Sequence, residues 1–238
     1  MPHDFYTGEI LLINKPYTWS SFQAVNKIKH TIKNHPSFQV NGVKVKPKVG
    51  HAGTLDPLAT GLLIVCTGKK TKEIESFMGM EKEYSGTFLL GATTPCFDLE
   101  KPVDRVYPVE HISEKMIYAA AEKFTGTLMQ VPPLFSAVLI GGRRAYDLAR
   151  AGESAEIKAR EITISEFEIT KISMPAIDFR VVCSKGTYIR SLARDFGMAL
   201  DSGAHLTALC RTRIGVFQLK DAETPQAFKD RITAETEH

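Results

Sequence analysis

None of the four cysteines, at positions 66, 96, 183 and 210, stands in a CxxC pair, so the spacing of a zinc ribbon is missing. The seven histidines form no HExxH pair, and Thr67-Gly68-Lys69-Lys70-Thr71 has the flavour of a P-loop without its GxxxxGK[ST] spacing. Neither metal nor nucleotide is indicated, no cofactor is expected, and the chemistry should run on side chains alone. No run approaches the roughly 18 apolar residues that a membrane helix needs. The N-terminus MPHDFYTGEILLI lacks a basic stretch leading into a long apolar one. A cytoplasmic protein that does not engage the membrane is expected. Repeats, low-complexity tracts and an obvious linker are also missing.

What is present is ordinary in bulk and uneven in detail. The 238 residues are 43% hydrophobic and 24% charged, enough for one large domain or two small ones. Net charge is +3, but its distribution says more. Lys44, Lys46 and Lys48 crowd one loop, followed by Lys69, Lys70 and Lys72. Arg143 and Arg144 form a second island, and Arg190, Arg194, Arg211 and Arg213 a third. Such islands suit a phosphate backbone; ordinary solvated faces would look the same from charge alone.

Periodicity and punctuation predict the elements. Gly8–Ile13 reads as a strand, and Ser20 and Ser21 offer N-caps to a helix with Phe22, Val25, Ile28 and Ile32 on one face. Asn41-Gly42 signals a tight hairpin. Leu62–Cys66 reads as a buried strand, Ile74–Met78 as a short helix and Lys82–Leu90 as an alternating strand. Thr93–Glu110 reads as loop, and Ser113 caps a helix to about Phe124. After Val131-Pro132-Pro133, a strand Ser136–Ile140 is expected to turn at Gly141-Gly142 into a helix bearing Tyr146, Leu148 and Ala149. Residues 161–172 and 176–183 alternate like paired strands, and a helix runs from about Tyr188 to Leu200. A last strand near Gly215–Leu219 precedes a charged tail. Strands and helices do not alternate strictly, which predicts α+β with a mixed, largely antiparallel sheet flanked by helices.

Three places carry candidate chemistry. In Gly50-His51-Ala52-Gly53-Thr54-Leu55-Asp56-Pro57-Leu58-Ala59-Thr60-Gly61, a small apolar loop feeds a buried strand and carries one carboxylate. Pro57 fixes its own φ and disfavours the α region at Asp56. A rigid loop on a scaffold strand suits a reactive group, whereas an Asp in a loop commonly caps its own turn. Arg190 falls in the first turn of the 188–200 helix, with Thr187 as the expected N-cap. The helix dipole disfavours a cation there, so a specific carboxylate or phosphate partner is one reading and a solvated turn the other. Tyr84, on its strand, is either core or an aromatic wall for a base.

Taken together, these stretches resemble the TruB family of tRNA pseudouridine-55 synthases, which includes the dyskerin-type guide-RNA enzymes. GHAGTLDPLATGLL is similar to the family's signature. Further collinear likenesses are Ile13-Asn14-Lys15-Pro16 with Ser20-Ser21, Lys82-Glu83-Tyr84 with Leu90-Gly91 and Asp98, and Pro132–Ala137 through Tyr146–Gly152. Cys183–Arg190 and Gly203–Leu209 complete the match, which covers roughly residues 8 to 219.

The resemblance implies a pseudouridine synthase catalytic fold over residues 1–220, with an RNA-binding insert near 93–150 and a short tail at 221–238. It implies isomerisation of uridine 55 in the tRNA T-arm, without metal or cofactor, by a protein expected to be monomeric. Asp56 matches the nucleophile, Tyr84 the tyrosine that contacts the flipped uracil, and Arg190 the partner of the carboxylate. His51 matches the residue that displaces the target base, Tyr188 and Leu209 match pocket-lining positions, and Lys15 matches the family's Lys-Pro segment at the substrate. The family's usual Gly after Lys-Pro-x is Thr18 here, followed by Trp19. The run after Gly91 departs at Pro95, Cys96 and Phe97. Many relatives carry a C-terminal PUA domain, for which the residues after Leu219 are too few. A synthase acting on another RNA, a guide-dependent synthase and a tRNA-folding chaperone remain as alternatives.

Overall fold

The apolar run Leu62–Cys66 lies inside the strand Thr60–Thr67, buried at every position from Gly61 onward. Continuous burial means that both faces of this strand are covered. Its partner on one side is the antiparallel strand Ile10–Lys15, with Ile13 opposite Leu63. On the other side it runs parallel to the end of Ala204–Ile214, with Arg211 opposite Gly61. Gly61 has φ +103°, and a Cβ there would collide with the Arg211 backbone, so both conformation and space demand glycine.

The computed structural model describes residues 3–40, 42–136, 139–145 and 157–236. Contacts divide the chain into two compact units, Met1–Lys82 with Cys210–His238, and Glu83–Leu209. In the first unit, Ser20 caps the helix Ser21–Ile32 in a capping box with Gln23. Ala24, Val25, Ile28 and Ile32 pack on Phe5, Leu11, Ile13, Phe38, Leu63 and Val65. Phe22, expected on that face, is 68% exposed. It lies roughly 100° around the helix from Ser21, off the stripe that Ala24, Val25 and Ile28 define.

The first strand begins at Ile10 rather than Gly8 and continues through the polar Asn14 and Lys15. Gln39–Val40 pairs with Val43–Lys44 as the Asn-Gly signal predicts; Asn41 itself lies outside the described residues. A 3-10 turn, Gly68–Glu73, leads into the short helix Ile74–Gly79. The segment read as a charged tail forms the helix Pro225–Thr236, with Phe228 and Ile232 buried in the same core. Two apolar residues four apart within a charged sequence give too weak a period to betray it.

In the second unit the strand order is the Ala204–Leu209 part of Ala204–Ile214, then Lys82–Leu90, Ala176–Cys183, Arg160–Ser173 and Gly126–Gln130. The last three pair antiparallel, giving the expected α+β architecture with a mixed, largely antiparallel sheet. Phe88, Phe167, Phe179 and Phe196 fill its core, Phe88 stacking on Phe179 at 4.1 Å. Ser113 caps the helix Glu114–Lys123. Three elements differ from expectation. Ala204–Ile214 is a full strand, unseen because Thr207, Arg211, Thr212 and Arg213 break its apolar pattern. Gly126–Gln130 is a strand too short to show a period. Leu139–Ile140 turns at Gly141-Gly142 as expected, but pairs there with Arg143–Arg144 as a short hairpin ahead of the position of the expected helix. Tyr146, Leu148 and Ala149 of that expected helix lie outside the described residues, as do 137–138 of the expected strand.

Candidate active site

The loop Gly53–Pro57 is pinned by its backbone at three alternate residues. Arg211 Nη2 donates to the Gly53 carbonyl at 3.1 Å, while Arg211 Nε donates to the Leu62 carbonyl at 2.8 Å. The Leu55 amide donates to Ser21 Oγ at 2.8 Å, and that hydroxyl donates back to the Leu55 carbonyl at 3.1 Å. Lys15 Nζ donates to the Pro57 carbonyl at 3.3 Å and to the Pro16 and Trp19 carbonyls at 3.0 and 2.5 Å. Asp56, half-buried, sits between the pins at Leu55 and Pro57, and its own carbonyl closes a turn by accepting from the Ala59 amide. A carboxylate so placed is carried on a backbone that the fold fixes on either side of it.

Two buried cations bracket this loop. Lys15 is fully buried and Arg211 is 1% exposed. Burial pushes the Lys15 ammonium down to about 8; the charge of Asp56 holds it up and that of Arg211 adds to the fall. With all three of its donors on carbonyls, Lys15 has the chemistry of a residue that positions the Asp56 loop. Burial, assisted by Arg211, also lowers His51 below the ordinary histidine range, against a backbone hydrogen bond at Gly53. At pH 7 this imidazole is neutral. The first unit therefore gathers Lys15, His51 and Asp56 around Arg211, which the sequence shows only as part of a charge island.

The second unit holds Tyr84, Tyr188, Arg190 and Leu209. Tyr188 is the N-cap of the helix Ile189–Ala199 in place of the expected Thr187, whose hydroxyl donates instead to the Ser184 carbonyl. Gln130 fixes it from both sides, accepting from the Tyr188 amide at 2.8 Å and donating to its carbonyl at 3.1 Å. Arg190, buried in the first turn, donates to the Cys96 and Phe135 carbonyls at 3.1 and 2.9 Å and faces Asp98 at 3.5 Å. The expected carboxylate partner of a cation at a helix start is thus present. Tyr84 is 9% exposed on its strand and Leu209 is half-buried.

The third charge island does not face solvent as a unit. Arg190 and Arg211 are internal, Arg194 pairs with Asp195 and lies over the Phe97 ring, and Arg213 pairs with Glu81. Ser21 carried no signal beyond a cap and Gln130 none; their roles come from what folds against them. Among the described residues no group of three or more His, Cys, Asp or Glu could hold a metal ion, and no helix is long and apolar enough to cross a membrane. Burial raises the Cys66 thiol to about 11, which makes it inert.

The model of the TruB family pseudouridylate synthase N-terminal domain matches residues 40–189. The tRNA pseudouridine synthase B of Flavobacterium johnsoniae is 55% identical over 231 residues, 97% of this chain and 99% of that protein. Its counterpart in Phocaeicola vulgatus is 54% identical over 227 residues, covering 95% and 94%. Among solved structures, a chain of a Cbf5-Nop10-Gar1 complex is similar with a TM-score of 0.71 at 27% identity. The match covers 95% of this chain and 55% of that one.

Proposed function

The chain belongs to the TruB family of pseudouridylate synthases, and on that premise we propose that it isomerises uridine 55 in the T-arm of tRNA, with Asp56 as nucleophile. The observation that carries this reading is the pinned loop: a single carboxylate held between fixed neighbours, in a loop that two buried cations bracket.

The chemistry asks for little else. The N1–C1′ bond of uridine breaks, the base turns, C5 bonds to C1′, and the C5 proton moves to solvent as N1 gains one. No atom or electron is lost overall, so no cofactor or metal is required. Asp56 serves as nucleophile at C1′ or at C6, or takes the 2′ proton in a glycal route. The uridine must leave its stack to be reached. Tyr84 contacts the flipped uracil, Arg190 partners the carboxylate, Tyr188 and Leu209 line the pocket, and His51 displaces the target base. A neutral His51 suits that part, because a cation would have to shed more hydration against a base.

Residues 1–220 form the catalytic region in this reading, 93–150 contains the RNA-contacting insert, and the protein acts as a cytoplasmic monomer. Support for tRNA comes from the names and near-full-length likeness of the relatives. The test is unmodified tRNA transcript treated with wild-type protein or with Asp56→Asn, pseudouridine being mapped by carbodiimide-blocked primer extension. A single block at position 55 with wild type, absent with a variant that still binds tRNA, is expected. Turnover only when another RNA or protein is added would turn the reading to a guided synthase. Tight binding without turnover by the wild type would turn it to a tRNA chaperone.

A further inference from the structure

Between Glu9 and Glu73 the sequence holds ten lysines, no arginine and one carboxylate, Asp56. Lys15 is internal; the others lie on the first unit's helix Ser21–Ile32, on the segment that follows it, and on the turn Gly68–Glu73. Their placement is not random. Along Lys44–Val49 the chain alternates: Lys44, Lys46 and Lys48 are exposed, while Pro47 is buried and Val45 and Val49 pack against the core. The apolar alternates anchor the segment, so three ammonium groups are displayed at every second residue of a fixed backbone. The Gly68 amide donates to the Lys48 carbonyl at 2.9 Å, which ties this segment to the turn bearing the exposed Lys69 and Lys72.

Acidic neighbours engage only the margin of this ridge. Glu73 pairs with Lys70 at 2.7 Å, and the charge of Asp4 is felt at Lys69. Lys44 donates to the Asn34 side-chain carbonyl, a neutral partner. The ion pairs described in this unit go to Lys70, Arg213, Arg231 and His3, while Lys46 and Lys48 make none among the described residues. Arginines here are spent on internal carbonyls and carboxylates, whereas Lys46 and Lys48 at the centre of the ridge face solvent. The chain reaches Asp56 eight residues after Lys48, at most about 29 Å away.

We propose that Lys44, Lys46 and Lys48, continued by Lys69 and Lys72, form a phosphate-binding ridge that grips the RNA backbone flanking the displaced nucleotide. The proposal rests on the tRNA reading above and adds to it the surface that supplies affinity. Ammonium groups bind phosphate as point charges without reading sequence, so the ridge contributes to binding and not to the chemical step.

The test compares wild type with Lys44→Gln/Lys46→Gln/Lys48→Gln and with the corresponding triple arginine variant, all side chains being exposed. Initial rates on full-length tRNA transcript and filter-binding Kd are measured across a salt series. Loss of three phosphate contacts should raise KM and Kd about 10- to 100-fold near physiological salt, leave kcat unchanged and reduce the log–log salt slope by about 2 to 3. The arginine variant should keep wild-type values. Unchanged Kd and salt slope in the glutamine variant overturn the proposal and leave the ridge to an acidic protein or to solvent; a fall in kcat alone overturns it as well. If the wild type modifies no RNA, the functional reading fails, and the binding slopes still decide the ridge independently.

Discussion

The Arg211 guanidinium and the Gly53 carbonyl, 3.1 Å apart, couple the end of one strand to the loop that carries the candidate nucleophile. The same guanidinium reaches the Leu62 carbonyl inside the buried strand, so one side chain bridges two carbonyls with eight residues between them. Replacing it by methionine preserves volume and leaves both buried acceptors unmatched. Relief of the buried charge offsets part of this. A net loss of about 2 to 4 kcal/mol is expected, with a Tm lowered by about 5 to 15 °C. Arg211→Lys keeps the charge and cannot reach both carbonyls; it should retain the fold and still lose kcat at least about tenfold through displacement of Asp56. A fully active Arg211→Lys, with Tm lowered, would confine Arg211 to stability.

Lys15 makes stability depend on pH in a defined direction. Its folded value of about 8 lies below the ordinary value of 10.5. Between these limits the unfolded chain binds more protons, so stability rises with pH across that window, by up to about 3 kcal/mol from this group. Below about pH 8 both states carry the proton and the folded state bears the full cost of the buried charge. Lys15→Met removes the titration and leaves three carbonyls without their donor. Urea midpoints at pH 7 and pH 10 should therefore show wild type pulling further ahead of the variant at the higher pH. A gap that narrows on the alkaline side would show that burial does not depress Lys15.

Much of this architecture is legible in the sequence where a local rule and the tertiary environment agree. Ser20 and Ser113 are caps because the residues after them are helical in any context, and Leu62–Cys66 is apolar enough to be a buried strand alone. Asp56 is legible from its loop composition, and Arg190 from its misplacement on the helix dipole. What stays hidden depends on distant partners. Ala204–Ile214 carries polar residues because Arg211 is sheathed by the carbonyls of Gly53 and Leu62, a fact no window of eleven residues contains. Gln130 is opaque for the same reason: its value comes from Tyr188, 58 residues away. Charge islands mislead because arginine is as apt to be buried on carbonyls as displayed to phosphate.

Asp98 stands beside Arg190 at 3.5 Å, both side chains being almost fully buried. Asp98→Asn keeps the shape and removes this countercharge, while the Cys96 and Phe135 carbonyls still accept from the guanidinium. Arg190 should then shift toward whatever negative charge remains. Activity is expected to fall about 10- to 100-fold in kcat, with little change in KM, since the ridge lysines are untouched. Single-turnover rates on tRNA measure this directly; a variant whose KM rises while kcat holds would place Asp98 in RNA binding instead.

Thr18 offers a prediction of the opposite sign. The resemblance marks this position as usually glycine, and the structure gives the reason: its φ is +68°, in the left-handed region. Thr18 is exposed, so no packing compensates. The shape of the turn is nonetheless kept, because Lys15 Nζ holds the Pro16 and Trp19 carbonyls on either side of it and Trp19 packs against the core. A threonine in this region costs about 1 to 2 kcal/mol, and glycine's greater freedom in the unfolded chain returns about 0.4 to 1 kcal/mol of that. Thr18→Gly should therefore raise Tm by about 1 to 4 °C in a chain of this length without altering kcat. Calorimetry of the two proteins checks it. A lowered Tm would mean that the threonine is recovering its strain through a contact in the turn, and that the departure from glycine is an adaptation of this chain.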